Sequence, residues 1–301
     1  MTISRAQLAK ELEPGLNALF GLEYDRYEDE AAEIFSGESS DRAFEEEVML
    51  SGFGTAPVKS EGSAINFDDA QETYTARYTM ETIALAFSIT EEAVEDNLYD
   101  KLATRYTRAL ARSMAQTRQI KGASVLNNAF STASPIGDGA ALCSAAHPSL
   151  SGNQDNLLAT PADLNETSLE EVLIQVAGFT DERGLKIAVR GTKLLIPKEL
   201  QFIAERIINS NLRPGSADND INAMKSMGML PEGAVVNHFF TDADAWFVKT
   251  DCPNGFKVFN RTPLTTGTEG DFDTGNLRFK ARERYAFGVS DWRCVYGTPG
   301  A

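Results

Sequence analysis

Residues 44–82 combine two strand-like stretches with a polar segment between them, and this arrangement limits the folds open to the chain. TYTARYTMET, residues 73–82, alternates apolar and polar side chains with the period of a half-buried strand. EEEVMLSG, residues 45–52, reads as a shorter, charged strand. FGTAPVKSEGSAINFDD, residues 53–69, lies between them and is rich in Gly, Ser and acidic residues. The sequence therefore predicts a long hairpin with a polar, flexible tip. Its apolar face carries Tyr74, Ala76, Tyr78 and Met80.

The predicted hairpin is long compared with the domain that carries it. Two strands of about 13 residues, at about 3.3 Å per residue, reach roughly 43 Å. A compact domain of 301 residues has a radius of gyration of only about 19 Å. Because a lone hairpin is marginally stable in water, we expect it to lie on another molecule, most simply another copy of the chain.

A long helix is the strongest local prediction. Residues 88–130 contain no Pro and one Gly, and Ser88 with Glu91 matches a capping box. Acidic residues at the beginning and basic residues in the later turns are predicted to complement the helix dipole. Apolar residues recur in steps of four, so the apolar stripe is predicted to wind around a helix of about 45 Å. The stripe consists of Val94, Leu98, Leu102, Tyr106, Leu110 and Met114, and the basic residues are Arg105, Arg108, Arg112, Arg118 and Lys121.

The rest of the chain mixes helices and strands without regular alternation. A short helix is predicted from Ser4 to Glu13, and a second capping box at Thr167 and Glu170 predicts a helix that continues to about Asp181. The inward face of that helix is Leu169, Val172, Leu173, Val176 and Phe179. Residues 198–210 form another amphipathic helix, and strands are predicted within 185–197, 234–240, 245–250, 255–260 and 276–297. This order is typical of the α+β class.

Motifs for chemistry are absent from the sequence. Neither His147 in a loop nor His238 in a predicted strand has the spacing of a zinc site, so both are interpreted as structural. Nucleotide-binding glycine motifs and a GxSxG elbow do not occur, and Asp218 to Asp220 lack the glycine and glutamate of a calcium loop. The sequence predicts no enzyme activity, no metal and no cofactor.

Composition adds two constraints. The net charge of −16 repels nucleic acid, which argues against sequence-specific binding but allows a shell that merely encloses it. Three scattered cysteines indicate a reducing compartment, and neither a secretory signal nor a membrane-spanning run is present.

From about residue 30 to 297 the chain resembles the major capsid proteins of tailed phages. The resemblance lies in the order of its parts and in LCSAAHPSLSGNQDNLL, LLIPKELQFIAERIINS and TDADAWFVKT. The closing segment NLRFKARERYAFGVSDWRCVYG is similar to the Mu-like major head subunit branch. The resemblance implies the α+β tailed-phage major capsid fold, shared with encapsulins and herpesvirus capsid floors. Its parts would be an N-terminal arm (1–43), an extended hairpin loop (44–82), a peripheral domain with the spine helix (83–134 and 266–301) and an axial domain (135–265).

The resemblance also implies a function. The chain would be a structural head protein that assembles as hexamers and pentamers into an icosahedral shell around double-stranded DNA, in the host bacterial cytoplasm. Its partners would be copies of itself, a portal protein at one vertex, a separate scaffolding protein and a decoration protein, with no membrane. The intersubunit candidates are Phe53, Val58, Lys59, Glu61, Ile65, Phe67, Tyr74, Arg77, Tyr78, Arg105 and Arg112.

Three other interpretations remain open at this point. An encapsulin-like shell would have the same fold and enclose a cargo enzyme instead of DNA. A small α+β enzyme would need a site that the sequence does not show. A tail-tube or head-closure protein would also form rings, but such proteins are mostly β, which the long helix disfavours. The basic residues of the helix could contact phosphate, although the dipole and acidic neighbours account for them more simply.

Overall fold

The computed structural model describes residues 17–90, 92, 99–213, 220–271 and 274–301. The predicted helix from Ser4 to Glu13 lies outside these residues, and so do Glu91, Val94 and Leu98 of the predicted long helix. The prediction that Ser88 caps this helix is wrong, because Ser88 belongs to the strand Glu81–Ile89. Asp218 and Asn219 of the rejected calcium motif also lie outside them. Residues 17–24 are helical.

Ten strands and four α-helices follow in the described part of the chain. The first half contains β1 (Ser36–Ser39), β2 (Phe44–Leu50), β3 (Glu72–Thr79), β4 (Glu81–Ile89), α1 (Tyr99–Asn127) and α2 (Glu166–Ala177). The second half contains β5 (Gly191–Pro197), α3 (Gln201–Asn209), α4 (Ala223–Met227), β6 (Ala234–Asn237), β7 (Trp246–Thr250), β8 (Phe256–Gly270), β9 (Leu277–Val289) and β10 (Val295–Thr298). Among the helices that the structure describes, none combines the length and apolar character needed to cross a bilayer.

The strands form two four-stranded sheets and a separate hairpin. The first sheet has the order β1-β8-β9-β4, and the second has the order β10-β7-β5-β6. The hairpin consists of β2 and β3 alone. Each sheet contains one parallel pair, β1 with β8 and β5 with β6, and its other pairs are antiparallel. This mixture confirms the predicted α+β class.

Helix α1 packs on the first sheet, but its buried stripe differs from the predicted one. The helix has 29 residues, which at 1.5 Å each gives about 43 Å. Leu110 and Met114 are buried as predicted, whereas Tyr106 is half exposed. The stripe keeps to one side because small residues, which the step of four omitted, occupy it between the large ones. Its buried members are Ala103, Thr107, Leu110, Ala111, Met114, Ala115, Gln119, Gly122, Ala123 and Leu126.

The predicted role of the basic residues at the end of α1 is also wrong. The last turn of the helix holds no basic residue, so nothing there complements the dipole. Instead, Lys121 pairs with Glu81 at 2.6 Å, and Arg118 lies 3.8 Å from Asp29. Lys121 and Arg118 therefore join the helix to neighbouring elements, so for these two residues the predicted pairing with acidic neighbours is confirmed and the dipole role is not.

The second sheet packs against α2 and the segment before β10. All five predicted inward residues of α2 and its C-terminal extension are buried. The helix begins earlier than predicted, because the side chain of Asn165 caps it and Ser168 completes the capping box. Trp246 and Trp292 are completely buried in this core.

The strand predictions hold with one correction. Segment 185–197 contains one buried strand, β5, which begins at Gly191. The prediction that His238 lies in a strand is wrong, because β6, the edge strand of the second sheet, ends at Asn237 and His238 follows it in a turn. In addition, β8 and β9 form one long antiparallel hairpin, whereas the sequence predicted two separate segments at 255–260 and 276–297. The Thr-rich outer half of β8 lacks the apolar alternation by which a strand is recognised.

Candidate intersubunit interface

The hairpin of residues 44–82, called the hairpin arm below, is anchored by one face of β3. Ala76, Tyr78 and Met80 are buried and Tyr74 is half-buried, while the alternate residues Thr75 and Arg77 are exposed. The predicted period-two pattern is therefore confirmed. The buried face of β3 packs against Phe259 and Ala286, which are core residues of the same subunit.

A polar cluster, called the arm anchor below, ties the base of the hairpin arm to the first sheet. The Ser290 hydroxyl donates a short hydrogen bond to the Glu47 carboxylate, so the Tyr78 hydroxyl is the donor in its own short bond to Ser290. Burial raises the pKa of the Tyr78 phenol, which keeps that proton in place. Lys257 pairs with the same Glu47 carboxylate and lies 3.2 Å from Glu38. The arm anchor therefore consists of Glu47, Tyr78, Lys257 and Ser290.

A glycine makes room for this anchor. The ring of Tyr78 lies directly over Gly288, where an added Cβ would stand 2.6 Å from a ring carbon. The same ring packs edge-on against Phe259, with the ring centroids 4.8 Å apart. The base of the hairpin arm is thus held by both shape and hydrogen bonds.

The tip of the hairpin arm has little cover of its own. Val58 is 98% exposed and Phe67 is 97% exposed, and Phe53 and Ile65 are mostly exposed as well. Residues 51–71 contain no strand. Because large apolar side chains concentrated at one exposed tip mark an interaction surface, the tip is the leading candidate for contact with a partner.

One ion pair holds the tip to the body of the subunit. The Asp68 carboxylate accepts a hydrogen bond from the Gly54 N–H at 2.7 Å and lies 3.2 Å from Nη1 of Arg183. The Gly54 hydrogen bond is the main reason that the pKa of Asp68 lies below its ordinary value. Arg183 also donates a short hydrogen bond to the carbonyl oxygen of Asp69.

The paired part of the hairpin arm is shorter than predicted. β2 and β3 have 7 and 8 residues, which gives about 25 Å of ladder rather than roughly 43 Å. The Gly, Pro and Ser residues of the tip do not sustain a ladder, so 51–71 extends beyond it as irregular chain.

The sequence-derived interface candidates separate into three groups. Tyr74 and Tyr78 hold the hairpin arm to its own subunit, and Tyr78 is only 3% exposed, so it has almost no surface left for a neighbour. Arg77 is exposed, lies over the ring of Phe44 and faces Glu46 at 3.7 Å. Exposed candidates without an ion pair in the described part of the chain are Phe53, Val58, Lys59, Glu61, Ile65, Phe67, Arg105 and Arg112.

Several residues of this region carry no recognisable signal in the sequence. Glu47 belongs to a run of three glutamates that reads as a solvated face, and its partner Ser290 is 243 residues away. Arg183 lies in an unremarkable loop 115 residues from Asp68. No local pattern relates residues so far apart, so only the tertiary structure reveals these pairs.

His147 is structural, as predicted. It is completely buried, and its Nδ1 and Nε2 atoms lie 2.6 Å from the Asp138 carboxylate and 3.0 Å from Oδ1 of Asn156. Its ring stacks on Trp292 with a centroid distance of 4.4 Å. His238 is exposed and contacts Glu30 at 2.7 Å. Within the described ranges no group of three His, Cys, Asp or Glu side chains is placed to hold a metal ion.

Comparisons with known proteins point to one family. A family model described as "Phage capsid protein" matches residues 73–297. No curated protein matches the sequence significantly. The structure is similar to a virus-like particle from Pyrococcus furiosus, with 9% identity, a TM-score of 0.53 and coverage of 94% of this chain and 97% of that chain.

Two further solved structures have the same fold. The capsid of Myoviridae phage XM1 is 12% identical with a TM-score of 0.55, and 89% of each chain is covered. The capsid of an empty GTA particle is 14% identical with a TM-score of 0.53, again over 89% of each chain. These likenesses confirm the predicted capsid fold.

Proposed function

Because the chain belongs to the phage capsid protein family and is a structural major capsid protein of the virion, we propose that copies of it assemble as hexamers and pentamers into a closed icosahedral shell around double-stranded DNA. The observation that carries this proposal is the hairpin arm. It is firmly held at its base, yet it presents Val58 and Phe67 almost fully to solvent. Large apolar side chains in such a position are stabilised when a neighbouring subunit covers them.

In this proposal, the tip of the hairpin arm lies across a neighbouring subunit. The contacts of the tip are Phe53, Val58, Lys59, Glu61, Ile65 and Phe67, and the exposed Arg77 of β3 extends the contact along the ladder. Arg105 and Arg112, on the exposed face of α1, form a second contact. Tyr74 and Tyr78 support the interface indirectly, because they fix the direction in which the hairpin arm leaves the subunit.

The proposed domains follow the family. Residues 1–43 form the N-terminal arm, 83–134 and 266–301 the peripheral domain, and 135–265 the axial domain around the capsomer axes. The first sheet and α1 support the peripheral part, and α2 with the second sheet supports the axial part. The proposed boundaries do not follow the sheets throughout, because β10 of 266–301 pairs with β7 in the second sheet, and residues 256–265 of β8 pair in the first sheet.

The proposed partners also follow the family. They are a portal protein at one vertex, a separate scaffolding protein and a decoration protein, with assembly in the host bacterial cytoplasm. The shell encloses DNA without sequence-specific binding, and it needs neither a cofactor nor catalysis by this chain. The finer resemblance to the Mu-like branch rests on residues 276–297. An encapsulin-like compartment is the second candidate, but the family model favours the phage shell.

The test is expression of the chain, alone and with candidate scaffolding proteins, followed by electron microscopy of the product. Closed shells of uniform diameter, or hexamers and pentamers, are expected. A chain that remains monomeric at high concentration under both conditions would contradict the proposal.

A pair of variants tests the role of the tip. Val58→Asp with Phe67→Asp should leave the subunit folded and prevent shell closure, because both side chains lose their apolar contact with the neighbour. Ser60→Asp adds charge to the same exposed tip without removing apolar surface and should assemble normally. Normal shells from the double variant would show that the tip is not an interface.

A further inference from the structure

Strand β9 carries four basic residues in alternation on one face. They are Arg278, Lys280, Arg282 and Arg284, called the basic row below. The alternate residues Phe279 and Ala281 are buried toward α1, so the basic row faces away from that helix. Arg278, Lys280 and Arg282 are exposed and Arg284 is half-buried. Successive members lie about 6.7 Å apart, so the row is about 20 Å long.

Small side chains and one carboxylate, that of Glu269 opposite Arg278, flank the basic row. The residues opposite it on β4 are Thr82, Ala84, Ala86 and Ser88, and those on β8 are Thr262, Thr265, Gly267 and Glu269. An added Cβ at Gly267 would stand 3.4 Å from Cε of Lys280, so the lysine stem lies over this glycine. The face is therefore a flat platform on which an extended segment can lie along β9.

The charges of the basic row are poorly compensated within the subunit. Arg278 pairs with Asp271 at 2.6 Å. Lys280, Arg282 and Arg284 form no ion pair with any residue that the structure describes, and Nε of Arg284 is buried without a hydrogen-bond acceptor. This is unusual in a chain with a net charge of −16, in which acidic partners are abundant.

The hairpin arm has the complementary charge. Residues 44–82 contain eight acidic residues and two basic ones, which gives a net charge of −6. Glu61, Asp69 and Glu72 are exposed and form no ion pair with the described residues. The subunit's own arm is directed elsewhere, because its tip is bound to Arg183. The basic row extends along β9 from Arg284 to Arg278, in the direction away from the arm anchor at Ser290. A second copy is therefore the natural source of an acidic arm.

We propose that the basic row is the receiving surface for the hairpin arm of a second copy, whose free carboxylates lie along β9. This inference rests on the proposed function and adds the site and the chemistry of the contact. Nucleic acid is the less favoured occupant, because the net charge of the chain repels it at long range.

The test is a charge exchange. Lys280→Glu with Arg282→Glu should lower the fraction of subunits in shells at least tenfold at low salt, as measured by sedimentation velocity. Adding Glu61→Lys, Asp69→Lys and Glu72→Lys to the same chain should restore most of the assembly, because attraction replaces repulsion. The control, Lys186→Glu with Arg190→Glu, makes the same charge change on an exposed loop and should assemble normally. Circular dichroism checks that every variant is folded.

Each other outcome overturns the inference. Normal shells from the row variant, or no recovery in the exchanged variant, would show that the arm does not dock there. Binding of a double-stranded DNA probe that the row variant alone loses, with assembly unchanged, would assign the row to nucleic acid. A wild-type chain that never assembles would contradict the proposed function itself.

Discussion

The Asp68 carboxylate and the Arg183 guanidinium, 3.2 Å apart, join the tip of the hairpin arm to the loop that follows α2. These residues are 115 positions apart in the chain, and both are partly exposed. This ion pair fixes the position of the tip in the isolated subunit. Because both side chains are accessible, the pair can be replaced by a contact with a neighbouring subunit.

Removing the guanidinium should release the tip. Arg183→Ala is expected to make residues 53–69 cleaved several times faster in limited proteolysis, because the Asp68 carboxylate and the Asp69 carbonyl both lose the donor that joins them to the body of the subunit. Thermal unfolding should hardly change. Lys186→Ala, in the same loop, is the control, and equal cleavage of both variants would show that the ion pair does not hold the tip.

A methyl group at position 288 should displace the base of the hairpin arm. In Gly288→Ala the new Cβ would stand 2.6 Å from the Tyr78 ring, so we expect a loss of about 1–3 kcal/mol in unfolding free energy and less assembly. Urea denaturation measures the first effect. Gly270→Ala meets no atom within 4 Å and should be neutral. Equal stability of both variants would contradict the packing argument.

Breaking the buried ion pair between Arg293 and Glu182 should be costly. Nη2 of Arg293 lies 2.8 Å from the Glu182 carboxylate, and both side chains are 3% exposed. Arg293→Leu leaves a buried carboxylate without its cation, so we expect a loss of about 3–5 kcal/mol in denaturant unfolding. Combining it with Glu182→Leu should recover part of this loss. If the double variant were less stable than Arg293→Leu alone, the unpaired Glu182 carboxylate would not be the cause of the lost stability.

Stability should depend on pH through Glu283. Burial raises the pKa of this carboxyl from its ordinary value near 4.5 to about 7, although Arg118 opposes the shift. Between these two values the folded state keeps a proton that the unfolded state has lost, so stability falls as the pH rises through this window. The groups facing the carboxyl are Arg118, Tyr24 and Asp29.

Glu283→Gln should remove this pH dependence. The variant is expected to be about 1–3 kcal/mol more stable than wild type at pH 8 and nearly equal to it at pH 4. Chemical denaturation at several pH values gives the comparison. Glu269→Gln, an exposed site on the adjacent strand, should follow the wild-type profile. A Glu283→Gln profile parallel to wild type would exclude this carboxyl as the source.

Local patterns in the sequence determined the elements and their buried faces. Alternation identified the buried side of β3, and the 3.6-residue period identified the inward residues of α2. Both patterns report that a face is buried, whatever covers it. Alternation therefore predicted the hairpin arm from the sequence, but it did not predict the residues that anchor the arm. The alternation of the basic row was also present in LRFKARER, but its meaning required knowing which face α1 covers.

The partners of those faces were decided by the tertiary structure. Whether Asn165 or Thr167 caps α2 depended on the path of the preceding loop, and the arm anchor needed Ser290 to lie beside Glu47 from the far end of the chain. The ladder of the hairpin arm ended early because glycine and proline stopped it. The sequence by itself therefore determined which surfaces must be buried, since that follows from side-chain polarity at fixed spacing. Only the tertiary structure decided what buries them, since hydrogen bonds and ion pairs between distant residues depend on how whole elements pack.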